Sequence, residues 1–310
     1  MLEDLFSATV LIGILASGIR LATPYLYAAI GETFGQRSGV LNLGVEGIML
    51  MGAFSGFYTV FRTDNLWLGL LSAMIVGGLM GLATAYVSVT LQAEQGISGI
   101  GVFLFGLGMS DLLFQKLISN VVTIRGFPDL PIPILSQIPV IGEIFFNHNF
   151  LVYGAYLLAV LAWFIFNKTT LGLSIMAVGE NPAAADTLGV SVAAVRYFTV
   201  TLGGVLSGVA GASLSIALLN VFQQNLTNGI GFIAVALVYF GGWRPLWVLA
   251  GSLLFSMVNS LQIWVQVIGL PIRSDVAVML PYILTIVVLV LTAGRMRAPS
   301  ALTKPYERSG

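Results

Sequence analysis

Long stretches without a single charged residue are the feature that most limits how this chain can fold. Residues 67–91, 197–219 and 246–267 contain no Asp, Glu, Lys or Arg. Each is long enough to cross a hydrocarbon layer of roughly 30 Å as a helix. Only 8% of the chain is charged, against roughly a quarter in soluble domains. The strands of a membrane barrel would instead alternate polar and apolar residues, so the sequence predicts an all-α, polytopic membrane helical bundle.

Breaks at charges, prolines and glycines divide the chain into nine predicted spans within a single transmembrane domain, residues 1–310. The first residues, MLEDLFSATV, are acidic where a signal peptide is basic, so we expect the first span to remain in the mature chain. The spans are predicted near residues 5–30, 41–61, 67–91, 97–119, 150–167, 197–219, 229–241, 246–267 and 278–294.

The basic residues are shared unequally between the two sides of these spans. Eight fall on one side and four on the other, and Arg20 lies within the first span. Because cytoplasmic loops carry an excess of Lys and Arg, we expect the N-terminus outside and the tail, residues 295–310, in the cytoplasm. The loop 168–196 then faces the cytoplasm, and the proline-rich loop 120–149 faces outside. The eight basic residues predicted to be cytoplasmic are Arg37, Lys168, Arg196, Arg244, Arg295, Arg297, Lys304 and Arg308.

Two pairs of similar segments indicate an internal repeat. SGIGVFLFGL at 98–107 resembles NGIGFIAVAL at 228–237, and GGLMGLATA at 77–85 resembles GGVLSGVAGA at 203–212. The two offsets, 130 and 126 residues, nearly agree. Since the matched spans run in opposite directions in the predicted topology, we expect an inverted repeat, as in many transporters. The alternative is that glycine-rich spans are alike by chance and that their glycines serve helix packing.

The sequence lacks the motifs of several enzyme classes. It has no GxxxxGK[ST] phosphate-binding loop, no HExxH and no GxSxG. With no Cys and a single His, His148, it has no residue set for a zinc site. Its formal net charge is zero, and no basic run is typical of nucleic-acid binding. We therefore expect no catalytic residue, metal, cofactor or nucleic-acid partner, and no ATP hydrolysis by this chain alone.

Polar residues inside spans are costly in lipid and tend to face a pathway or one another. Asn42 and Glu46 are four residues apart, which predicts that they share one face of a helix. In a functional interpretation they line a translocation pathway. In a structural one, Glu46 is protonated or hydrogen-bonded to a neighbouring helix end and fixes packing. Asn220 and Gln223 follow the 197–219 span and are candidates for the outer mouth of a pathway, although a solvated loop explains them equally well.

A short polar segment interrupts the apolar runs at residues 178–196, VGENPAAADTLGVSVAAVR. Asn181 can cap a helix that Pro182 begins at its first position. The alanines that follow permit close docking, and Gly189 can end the helix. The segment therefore predicts a short helix with a polar start.

Two segments resemble the permease subunits of ATP-binding-cassette importers, in the branch that serves branched-chain amino acids, ribose-type sugars and nucleosides. They are GQRSGVLNLGVEGIMLMGA (35–53) and GENPAAADTLGVSVAAVR (179–196), and GIGFIAVALVYFGGWRP (229–245) is a third match. The SGxxNxGxEG pattern of the first is similar to the nucleoside group rather than to the sugar permeases. In such importers a cytoplasmic loop carries a short coupling helix that docks on the ATPase subunit, and the resemblance implies that role here. The matching residues are Gly179, Glu180, Asn181, Pro182, Ala183, Ala184, Asp186 and Gly189.

The resemblance further implies a nucleoside permease of the bacterial inner membrane that forms its pathway with a second permease. It implies separate ATPase subunits, which hydrolyse the ATP, and an external substrate-binding lipoprotein. Sugars or branched-chain amino acids are alternative substrates of the same importer type. A different alternative is a secondary transporter of a small polar solute, driven by an ion gradient, with Glu46 or Asp111 as the proton-coupled carboxylate.

Overall fold

The computed structural model describes residues 8–268 and 297–307, with positions 279–281, 283, 286, 287 and 290 between them. Most of these residues are helical, which confirms the predicted all-α bundle. A two-stranded antiparallel sheet joins β1 (Asp129–Pro131) to β2 (Asn147–Asn149). The helices in chain order are α1 (Ala8–Arg37), α2 (Val45–Thr63), α3 (Leu66–Ala85), α4 (Gln95–Leu117), α5 (Ile141–Phe145), α6 (Phe150–Lys168), α7 (Thr170–Glu180), α8 (Pro182–Thr187), α9 (Val192–Ser213), α10 (Ile230–Phe240) and α11 (Pro245–Val267).

Six of the described helices are long and apolar enough to cross a membrane. The spans predicted at 67–91, 97–119, 150–167 and 246–267 agree with four of them to within two residues at each end. The count of nine spans is not confirmed in the described part of the chain. The last predicted span, 278–294, lies largely outside the described residues, as do residues 5–7 of the first.

The first two predicted spans differ from the structure at the turn between them. The first was predicted to end at residue 30, but α1 continues to Arg37 because no helix-breaking proline follows before that point. Gly39, with φ +94°, then turns the chain. The helix predicted to begin at residue 41 begins only at Val45.

The predicted span at 229–241 is also different. It forms α10, an eleven-residue helix that is about 16 Å long and therefore too short to cross the hydrocarbon layer. Gly229, with φ +89°, precedes it. The apolar composition of this stretch reflects packing against α1, α2 and α11 rather than a complete crossing.

Helix α9 lies at the centre of the bundle and packs against α1, α2 and α3. Its glycines allow the neighbouring backbones to approach closely, as is usual between membrane helices. A Cβ added to Gly204 would lie 2.5 Å from the carbonyl oxygen of Gly77 on α3. Along this contact Gly81 lies beside Val200, and Gly69 lies near Ile216. Helices α3 and α9 therefore run antiparallel.

The two ends of the bundle carry different structures. At one end the chain between α4 and α6 forms the small sheet and α5. His148 of β2 is buried there, and its Nε2 lies 2.8 Å from the carbonyl oxygen of Ile144. At the other end α7 and α8 meet the segment 297–307, which we call the C-terminal strap, through a hydrogen bond from the Ala301 amide to the carbonyl oxygen of Gly179.

Candidate functional site

Helix α8 has the local structure that its sequence predicts. The side chain of Asn181 accepts a hydrogen bond of 3.1 Å from the amide of Ala184, which satisfies one of the free amides at the helix start. Pro182 occupies the first turn. Gly189 follows the helix with φ +86°, a conformation that favours glycine. Both predicted boundaries of the short helix are confirmed.

The C-terminal strap holds the segment around α8. Ser300 donates to the carboxylate of Glu180 from its hydroxyl at 2.9 Å and from its amide at 3.3 Å. The hydroxyl of Tyr306 donates to Asp186 at 3.2 Å. Gly179 packs directly against the end of α1, since a Cβ there would overlap the carbonyl oxygen of Arg37. Glu180 and Asp186 therefore fix α8 to the body of the protein.

The opposite side of α8 is exposed. Ala183, Ala184 and Thr187 are accessible, whereas Ala185 is buried against the bundle. Leu188, at the end of the helix, is 84% exposed. The exposed side of α8 therefore consists of small residues followed by an accessible leucine.

Glu46 caps the start of α10. It is 1% exposed, and its Oε1 accepts hydrogen bonds from the hydroxyl of Thr227 at 2.6 Å and the amide of Gly229 at 2.7 Å. Its Oε2 accepts from the amide of Gly231 at 2.6 Å. All three donors lie at the start of α10 or in the turn before it, so the carboxylate joins α2 to α10. This agrees with the structural interpretation of Glu46, a bond to a neighbouring helix end.

Asn42 does not share a helical face with Glu46, so that prediction is wrong. Asn42 lies before the start of α2 at Val45, and its Oδ1 accepts a hydrogen bond from the Gly44 amide at 2.9 Å. The backbone amide of Asn42 donates to Glu32 of α1 at 2.9 Å. A turn rather than a helix precedes Glu46, because Gly39 redirects the chain.

A buried polar chain that the sequence analysis missed begins at Glu32. Gln36 donates to Glu32 at 3.0 Å, and the indole of Trp243 donates to Gln36 at 2.7 Å. Arg37 in turn donates to the carbonyl oxygen of Trp243 at 2.8 Å. The chain links the turn at Asn42 to the end of α10. The spacing of four residues between Glu32 and Gln36 could have indicated this contact, because it predicts that the first helix continues beyond residue 30.

Arg196 is a second missed residue, since it was counted only among the cytoplasmic basic side chains. It is 2% exposed. Its Nε donates to the carbonyl oxygen of Ser38 and its Nη1 donates to that of Lys304, each at 3.1 Å. One guanidinium thus ties α9 to the turn after α1 and to the C-terminal strap. A lone arginine near the start of an apolar helix was the signal for such a role.

Asn220 and Gln223 lie in the connection between α9 and α10, the same connection that supplies Thr227 and Gly229 to Glu46. Asn220 has φ +58°, and its carbonyl oxygen accepts a hydrogen bond of 2.9 Å from the amide of Ile124. Gln223 is exposed. In the hydrogen bonds of the described residues, no two of the four residues proposed for the pathway are partners. Among the described residues, no cluster of three or more acidic or histidine side chains is suited to hold a metal ion.

Comparison with known proteins identifies the family. The family model described as the permease component of branched-chain amino acid transport systems matches residues 14–289. The nucleoside ABC transporter permease of Lactococcus lactis is 38% identical over 96% of this chain and 97% of its own length. The guanosine ABC transporter permease of Bacillus subtilis is 38% identical, covering 92% and 93%. A putative glucose ABC transporter permease of Haloferax volcanii is 36% identical, covering 96% and 98%.

No solved structure matches the chain. Because the family model covers most of the sequence and several relatives align over nearly their full lengths, the chain belongs to the permease components of the branched-chain amino acid transport system family.

Proposed function

We propose that this chain is the permease subunit of an ATP-driven importer of nucleosides and that α8 couples it to a separate ATPase. The observation that carries the proposal is the geometry of α8. Its start is capped by Asn181, and the strap holds both Glu180, just before the helix, and Asp186 within it. Its small-residue face is left accessible at the surface. A rigidly mounted helix can transmit a displacement of its docking partner to the bundle, whereas a mobile loop cannot.

The route of coupling runs from α8 into the bundle. Gly179 contacts the end of α1 at Arg37, and Arg37 contacts Trp243 at the end of α10. At its other end α10 is held by Glu46. In this proposal α10 moves with α1 when the ATPase shifts α8, and the interior of the bundle opens or closes around it.

Nucleosides are the proposed substrates because one of the compared relatives is named a nucleoside permease and another a guanosine permease. The relative named as a putative glucose permease supports sugars as an alternative within the same importer type. Branched-chain amino acids are a further alternative, because the family description names them.

The proposed assembly is a membrane complex. A second permease completes the pathway, and an external lipoprotein delivers the substrate. Separate ATPase subunits bind and hydrolyse the ATP, so this chain needs no cofactor of its own. We place it in the bacterial inner membrane with the N-terminus outside.

Two features of α3 and α9 support an inverted repeat. The helices run antiparallel, and each ends in a π-helical turn, Tyr86–Thr90 after α3 and Leu214–Leu218 after α9.

The rival function is a secondary transporter, and one observation favours it. Asp111 of α4 is half-buried, and its Oδ1 has no hydrogen-bond partner among the described residues. An isolated carboxylate is a candidate for proton coupling. Glu46 suits that role poorly, because its carboxylate already accepts three hydrogen bonds from the start of α10 and the turn before it.

Thiol accessibility tests the side of the membrane on which α8 lies. The chain has no cysteine, so single cysteines at Thr187 and at the outer-loop residue Ile134, which is 78% exposed, give unambiguous signals. In intact cells we expect an impermeant maleimide to label the Ile134→Cys variant and to leave the Thr187→Cys variant unlabelled. Both should react after permeabilisation. Labelling of Thr187→Cys from outside would place α8 away from any ATPase and contradict the proposal.

A further inference from the structure

A cavity of about 290 Å³ lies between α1, the turn before α10, and α11. Tyr25 and Phe255 form one part of its wall, Thr227 another, and Asn259 and Gln262 of α11 a third. Its volume is close to the lower limit of roughly 300 Å³ for small-molecule sites. It therefore suits one small solute.

Two of the three carboxamides of α11, Asn259 and Gln262, line this cavity. Asn259 and Gln262 are three residues apart, so they lie on one face of the helix. Both are half-buried, and neither has a hydrogen bond to another described residue. Since unpaired polar side chains within a span are costly in lipid, their position at a cavity indicates that they serve a solute.

The walls of the cavity restrict the chemistry of that solute. Its described lining contains no charged side chain, so a phosphate or a zwitterion would lose its hydration without a counter-charge. The start of α10 offers no free anion site either, because the amides of Gly229 and Gly231 already donate to Glu46. The described part of the lining therefore matches a neutral solute better than a nucleotide or an amino acid.

The aromatic side chains indicate a planar group. Tyr25 and Phe255 are each 4% exposed, and their rings pack edge to face with centroids 5.2 Å apart. The two rings therefore form a flat apolar wall of the cavity, against which a planar group can pack. A carboxamide presents one donor and one acceptor side by side, which match the donor and acceptor of a purine edge. From this combination we propose that the cavity binds the base of a nucleoside in transit, with Asn259 and Gln262 as its specificity-determining residues.

This inference rests on the proposed importer function, and uptake by the complete transporter tests it. Labelled guanosine, glucose and leucine are supplied to cells that express the chain together with its ATPase, second permease and binding protein. We expect Asn259→Ala and Gln262→Ala each to lower the efficiency of guanosine uptake about tenfold, the usual order for loss of a paired base contact. Gln266→Ala, which alters an exposed carboxamide one turn further along α11, should take up guanosine at the wild-type rate.

The outcomes separate the two proposals. Wild-type uptake of guanosine with undiminished uptake by both variants would overturn the cavity assignment and leave the importer proposal standing. An equal loss in Gln266→Ala would also overturn the assignment. Wild-type uptake of glucose or leucine without guanosine uptake would instead overturn the proposed nucleoside specificity.

Substrate protection provides a second measurement if the alanine variants fail to reach the membrane. In the transporter that carries Asn259→Cys, guanosine at ten times its KM should slow labelling by N-ethylmaleimide about tenfold, in proportion to site occupancy. Labelling of the Gln266→Cys variant should be unaffected. Equal labelling of Asn259→Cys with and without guanosine would overturn the inference.

Discussion

Replacement of Glu46 by leucine is expected to abolish uptake and to destabilise the permease by at least about 3 kcal/mol. The substitution removes the only described acceptor of the Thr227 hydroxyl and the Gly229 and Gly231 amides, and it leaves three buried donors without partners. Each unsatisfied donor costs about 1–3 kcal/mol. Thermal unfolding of the purified complex should show a decrease in Tm of roughly 6 °C or more.

Glu46→Gln separates charge from shape. Its amide oxygen can keep the contacts with Thr227 and Gly229, but its NH₂ group would face the Gly231 amide, so that two donors meet. We expect stability and uptake between those of the wild type and Glu46→Leu. Glu143→Leu, the same substitution at an exposed carboxylate in the segment between α4 and α6, is the matched control and should have little effect. Wild-type Tm and uptake in Glu46→Leu would exclude both a capping and a pathway role for this residue.

Replacement of Glu180 and Asn181 together by alanine is expected to uncouple ATP hydrolysis from uptake. Loss of the Asn181 cap destabilises α8 by about 1 kcal/mol, and loss of Glu180 releases the helix from Ser300. A change of that size lowers the equilibrium constant for the docked helix about fivefold, so this loss lowers uptake by up to about that factor. Membrane insertion should be unaffected because α8 contributes little to the core.

Two assays on the reconstituted complex check this expectation. Stimulation of ATP hydrolysis by the substrate-loaded binding protein should decline together with uptake in the double variant. Asn167→Ala, which changes an exposed asparagine at the end of α6, serves as the control and should retain both activities. If the double variant shows normal uptake and normal stimulation, Glu180 and Asn181 have no part in coupling.

The features that sequence reasoning predicted well depend on residues that are close together in the chain. The start and end of α8 follow from Asn181, Pro182 and Gly189, whose effects act within one helical turn. Likewise, long apolar runs bounded by polar residues locate helices such as α4 and α6. In both cases the local free energy of the segment determines its structure.

The features that were missed depend on contacts between distant parts of the chain. Glu46 is separated by 181 residues from Thr227, so the sequence could not identify α10 as the helix end that Glu46 binds. The strap reaches Glu180 across 120 residues. Hydropathy alone likewise could not distinguish α10, an eleven-residue helix buried by its neighbours, from a complete span.

The driving force of uptake tests the central claim most directly. The complete transporter, reconstituted in sealed vesicles with ATP supplied on the α8 side, is given labelled guanosine without any ion gradient, and then a proton gradient without ATP. We predict accumulation with ATP alone, none with the gradient alone, and none with ATP when the ATPase subunit cannot hydrolyse it. Accumulation driven by the proton gradient without ATP, and lost in Asp111→Asn, would contradict the account and establish the secondary transporter.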